Sequence, residues 1–185
     1  SFGLMGFICI LYTSLSGLWG LAITDMIQFV IMTVSAGVLC LGVYSYFDGF
    51  GNLFAQADAI DHNLVTVFGG NGPMEVAAWL VSAVAIYANA QSYQRFGSAR
   101  SAADLKVAYS FIVMFGQFFM AINVMAGMAS RVMFPEIAAE SSSQAFWSVV
   151  FTILPVGLRG LFVASLIAAV MSTVSADYLC CGAAV

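Results

Sequence analysis

The sequence predicts an all-α membrane protein, a polytopic bundle of transmembrane helices, and three observations carry that reading. Hydrophobic residues make up 62% of the chain and charged residues 8%, with a mean hydropathy of +1.00. A soluble domain carries roughly a quarter charged residues, so this composition cannot clothe a water-exposed surface. Long charge-free runs are the second observation: Ser1–Thr24, Met26–Phe47, Val76–Gln94 and Val107–Ser130, with Ser141–Leu158 and Gly160–Ala176 combining into one span that has Arg159 near its outer end. Crossing a hydrocarbon core takes a helix of about 20 apolar residues. The third is that most of the charges gather in the short connections between these runs.

In order, about five membrane helices are expected. The first ends near Thr13, where the SLSGL turn leads into a second over about Leu21–Tyr46. A polar stretch, Phe47–Pro73, follows, with glycines, Asp48, Asp58, Asp61 and His62. The third helix runs over about Glu75–Tyr93 and the fourth over about Ala103–Met128. A second polar stretch, Phe134–Ala145, holds Pro135, Glu136, Glu140 and a run of serines, and the fifth helix starts near Val156. Ser1–Gly17 does not read as a signal peptide, since Ser1 lies inside an apolar run with no basic segment before it. Residues 1–185 therefore read as one fragment of a transmembrane domain, truncated at both ends. The four cysteines form no framework: Cys9 and Cys40 sit mid-span, and Cys180 and Cys181 are adjacent, unlike a metal or redox spacing.

Charge orients the bundle. Arg95, Arg100 and Lys106 between the third and fourth helices place that loop in the cytoplasm. Asp48, Asp58, Asp61, Glu136 and Glu140 then face outward, although Arg131 and Arg159 share their side. The SLSGL turn falls inside, beside Asp25. No nucleic acid partner is expected; the lipid bilayer is.

Polar residues at membrane depth are the functional candidates. Asp25 opens the second helix with Gln28 one turn on, either as a helix-start carboxylate capped by Thr24 or as a functional acid. Asp177 lies near the inner end of the fifth helix, where solvation explains it. Helix three carries a stripe of Ser82, Ala85, Asn89 and Ser92, with Gln91 and Gln94 beside it; Asn89 suits a solute contact or interhelical glue, and glue is the commoner role of a single intramembrane Asn. On helix five, Ser165, Ala169, Ser172 and Ala176 recur at helical spacing, flanked by Thr173 and Ser175. Small residues admit a neighbouring backbone, and paired hydroxyls offer oxygens to a hard cation.

Three segments together resemble the sodium:solute symporter family. YTSLSGLWGLAITDMIQF (Tyr12–Phe29) is similar to that family's Y-x-x-x-G-G-L-x-x-V-x-x-T-D-x-x-Q join, with Ser16 in place of the first Gly. QRFGSARSAADLK (Gln94–Lys106) resembles the stretch after core helix six, and LPVGLRGLFVASLIAAVMSTVSA (Leu154–Ala176) resembles L-P-x-G-l-x-G-l-x-x-A-x-x-A-A-x-M-S-S-x-x-S. The resemblance implies a LeuT-type inverted-repeat transporter, with this chain covering about core helices four to eight. It implies Na+ as coupling ion, held by the hydroxyls of Ser172 and Thr173 and the carbonyl of Ala169, with further ligands from core helix one. Asp25 matches the acid on the ion's cytoplasmic exit path. The solute pocket maps to Ser82, Ala85 and Asn89. Sugar-transporting members carry an Asn where Ser82 stands and a gating Tyr where Ala85 stands, so their pocket is not reproduced.

The expected function is sodium-coupled symport of a small polar solute by alternating access, in a multi-pass protein of the plasma (inner) membrane. A sugar or polyol is placed ahead of an amino or carboxylic acid, and the lack of a basic residue deep in helix three disfavours strongly anionic solutes. The alternative is a transporter-like sensor module of a signalling protein. A membrane enzyme is not expected, with one loop His and no clustered carboxylates, and no filter sequence suggests a channel.

Overall fold

The computed structural model describes residues 2–85 and 90–183, and these are helical with no strand among them. In order come α1 (Phe2–Tyr46), α2 (Phe50–Ile60), a 3-10 turn (His62–Val65), α3 (Pro73–Ala85), α4 (Ala90–Gly97), α5 (Ala102–Met133), α6 (Pro135–Glu140), α7 (Ser142–Ile153) and α8 (Val156–Ala183). Three helices are long and apolar enough to cross a membrane unaided: Gly17–Tyr46, Ala102–Met133 and Val156–Gly182. Gly6–Leu15 and Pro73–Val84 are shorter apolar helices, where the first and third expected spans fall.

The join between the first two expected helices differs from its prediction. Instead of a turn over 14–18, α1 breaks at Gly17 alone, with φ 59° and ψ −157°. That conformation is essentially confined to glycine. Helix resumes at once, so Asp25 lies about two turns inside a helix and not at its start. Thr24 does not cap it, because its hydroxyl donates back to the carbonyls of Gly20 (3.0 Å) and Leu21 (2.9 Å).

The two polar stretches hold structure of their own. α2 buries Leu53 and Ala57, one turn apart, despite its glycine and aspartate. α7 buries Ala145, Val149 and Val150 behind an N-cap in which Ser141 accepts from the Gln144 amide. The α7–α8 corner at Pro155 is braced by Arg159, whose Nε donates to the Leu154 carbonyl at 2.6 Å. α5 runs about a turn past its expected end, to Met133.

α1 and α8 form the main pair and run antiparallel. Ser14 meets Tyr178 (Oγ to OH, 3.1 Å), Ser35 Oγ donates to the Leu161 carbonyl (3.3 Å), and Gly42 lies against Ile153 and Leu154. A Cβ on Gly42 would come within 2.7 Å of Ile153 Cγ2, so glycine sets how closely α1 approaches the end of α7 that leads into α8. Beyond Gly17, the more buried stripe of α1, the seam it turns toward α5 and α8, reads Leu21, Asp25, Gln28, Met32, Ser35, Leu39 and Val43, with Ser35 bonded to α8 and Met32 beside Phe111 and Phe115 of α5. Leu21, Ser35, Leu39 and Val43 on it are buried, whereas Met26, Val30, Val34 and Leu41 on the opposite face are exposed.

Packing is uneven along this pair. The hydrophobic core unites Leu39, Val43 and Phe47 with Leu53 and Ala57 of α2, Ala126 and Ala129 of α5, Val149 and Val150 of α7, and Phe162 of α8. It sits at the end that carries both acidic connections. The other end, with the 97–101 connection, is tied by polar side chains: Ser14 to Tyr178, and Gln91 Nε2 donating to Asp177 Oδ1.

Candidate ion and solute site

On α8, Ser172 Oγ donates to the Ala169 carbonyl at 2.9 Å and Thr173 Oγ1 donates to the same carbonyl at 3.1 Å. Bonding back one turn is ordinary for hydroxyls in membrane helices. The neighbouring serines do it with a carbonyl each, Ser165 to Phe162 (2.7 Å) and Ser175 to Met171 (2.8 Å). At Ala169 two hydroxyls share one carbonyl, which draws three neutral oxygens into one small volume. Such a set is suited to a monovalent cation, since divalent ions favour charged ligands. The buried face of α8 is turned slightly from the expected stripe: Ser165, Ala168, Ser175 and Ala176 are buried, Ala169 and Ser172 are half-buried, and Thr173 is exposed.

Asp25 lies on α1, about two turns past Gly17. Along with Leu18, Trp19, Leu21, Ala22 and Ser98, it lines a cavity of about 430 Å³ that brings α1 to the α4–α5 connection. The expectation that Asp25 and the basic loop share one end of the molecule therefore matches the geometry. Two other polar atoms on α1, Thr13 Oγ1 and Gln28 Oε1, are buried with no hydrogen-bond partner among the described residues.

The solute stripe is less developed. Ser82 is exposed, and its hydroxyl donates to the Ala78 carbonyl of its own helix at 2.9 Å. Ala85 closes α3, and Asn89 lies outside the described residues. Asp177, expected to be solvated, is exposed but accepts from Gln91. Sequence reasoning had named Gln91 only as a flank of the stripe and missed the Ser14–Tyr178 pair; partners this far apart in the chain leave no local signal. His62 forms a local hydrogen bond with Asp58, Nδ1 to Oδ1 2.6 Å. No group of three or more His, Cys, Asp or Glu side chains gathers among the described residues.

Comparison with known proteins fits this geometry. The family profile described as "Sodium:solute symporter family" matches residues 1–185. The chain is similar to the osmoregulated proline transporter OpuE of Bacillus subtilis, 23% identical over 96% of this chain and 37% of that protein. It is also similar to the sodium/pantothenate symporter of Haemophilus influenzae, 22% identical over 91% of this chain and 35% of that one. The chain thus spans little more than a third of the length of these relatives. No solved structure is a significant match. With apolar helices long enough to span a bilayer and a profile match along its whole length, this multi-pass integral membrane chain belongs to the sodium:solute symporter family, a family of transporters and not of enzymes.

Proposed function

We propose that the chain forms core helices four to eight of a LeuT-type transporter in the plasma membrane, which couples inward sodium flow to uptake of a small polar solute. The observation that carries this reading is the convergence of the Ser172 and Thr173 hydroxyls on the Ala169 carbonyl. A cation arriving there replaces two hydroxyl protons at that carbonyl, and each hydroxyl turns its oxygen to the ion. Asp25, on α1, supplies the negative charge that draws the ion toward the cytoplasmic end. Alternating access follows when solute and ion together bias the packing of the helices around them.

The solute is a compact polar molecule. A sugar or polyol finds no support in the two relatives, which are named for proline and pantothenate. Both of those compounds bear a single carboxylate, so we favour a monocarboxylate or amino acid. Ser82, Ala85 and Asn89 remain the proposed contacts from this chain.

The test is sodium dependence in the full-length protein. Removing one oxygen from a dry cation site is expected to cost at least about 1.4 kcal/mol, a factor of ten. Ser172→Ala and Thr173→Ala should therefore raise the sodium concentration for half-maximal uptake tenfold or more. Thr173→Ser, which keeps the oxygen, should stay near wild type. Wild-type sodium affinity in both alanine variants would place the ion elsewhere.

A further inference from the structure

The α1 seam is apolar at Leu21, Met32, Leu39 and Val43, and is interrupted by Asp25 and Gln28, one turn apart. Gln28 is half-buried, and its Oε1 is fully shielded with no hydrogen-bond partner among the described residues. A shielded amide oxygen without a donor is costly, and more so where no water reaches it. A methionine would fill the same space without that cost. The antiparallel register says what lies opposite. Ser35 bonds to the Leu161 carbonyl; two turns from there along both helices, Gln28 draws level with Ala168 and Ala169. One further turn brings Asp25 level with Met171 and Ser172.

We propose that Gln28 Oε1 is a ligand of the coupling ion, taking sodium between the Ala169–Ser172–Thr173 oxygens of α8 and the Asp25 carboxylate of α1. This rests on the sodium reading of α8 given above. The chemistry matches: an amide oxygen is a neutral hard donor of the same class as the Ala169 carbonyl. Its flexible stem lets one oxygen serve two positions along the seam. Being neutral, it passes the ion on without holding it as a second carboxylate would.

The experiment uses the purified full-length transporter, titrated with sodium chloride against choline chloride at constant ionic strength, and follows the midpoint of thermal unfolding. Gln28→Met should be as stable as wild type or more so without sodium, because a shielded amide has been removed. Its half-saturating sodium concentration should rise fivefold or more. Gln28→Asn, which keeps the amide but draws it back by one methylene, should raise it as well and serves where Gln28→Met does not fold. Wild-type sodium dependence in either folded variant overturns the assignment. Ser172→Ala, run in parallel, separates the two readings. A shift in Ser172→Ala beside an unchanged Gln28→Met sinks the Gln28 assignment alone; no shift in either removes the sodium reading of α8 and the Gln28 assignment with it.

Discussion

Taking a carboxylate out of water costs several kcal/mol unless a partner or a cation offsets it. Asp25 lies half-buried on α1, about two turns past the Gly17 break. The helix dipole gives little compensation there, because its effect fades within the first turn. Its reading as a helix-start charge thus loses its basis. Asp25→Asn should insert and fold, yet change the sodium activation of uptake at least threefold and slow turnover, as measured by initial rates across a sodium titration. Unaltered activation kinetics would remove Asp25 from the ion's route. The α8 oxygens were legible in the sequence because Ala169, Ser172 and Thr173 are neighbours on one helical turn. The depth of Asp25 was not, because it depends on how a single glycine bends the chain.

Elements were legible where hydrophobic runs exceeded a membrane's thickness. Gly17–Tyr46, Ala102–Met133 and Val156–Gly182 fall where the charge-free runs put them. α2 was hidden because its burial rests on few residues, Leu53 and Ala57, inside a segment of polar composition, and α7 because its apolar run was expected to join the fifth span, from which the corner at Pro155 separates it. The register between helices was illegible altogether, since it is set by meetings such as Ser14 with Tyr178. Gly17 governs that meeting, because it aims the first part of α1. A Cβ there would touch nothing within 4 Å, so the obstacle to substitution is the backbone conformation, at about 1–3 kcal/mol for a non-glycine residue. Gly17→Ala should relieve that strain by closing into regular helix, which re-aims residues 2–16. In a Ser14→Cys/Tyr178→Cys background, disulfide yield should fall several-fold on adding Gly17→Ala. Equal yields would mean that the break does not set the register.

At the scale of the whole molecule, the sidedness read from the charges has a geometric counterpart. The connections after α1 and α5 share the end that holds the hydrophobic core, while the 97–101 connection meets Asp25 at the opposite end. Val67 is 94% exposed in the first connection, and Ser98 is exposed in the second. Cysteines at these positions, in an otherwise cysteine-free full-length protein, should react with an impermeant maleimide from opposite faces of sealed vesicles, Val67→Cys from outside and Ser98→Cys from inside. Reaction of both from one face would overturn the orientation.

The uneven packing of α1 against α8 makes the pair a lever with its fulcrum on the outside. Opening the end near the 97–101 connection severs the Ser14–Tyr178 hydrogen bond, at about 0.5–1.5 kcal/mol. Opening the outer end would wet Leu39, Val43, Leu154 and Phe162, at about 1.5–3 kcal/mol for each large side chain. Backbone amides near Tyr178 should therefore exchange with deuterium well before those near Phe162, and sodium should slow the former more than the latter. A swing of this kind would have one low-energy direction, set by where the large side chains gather.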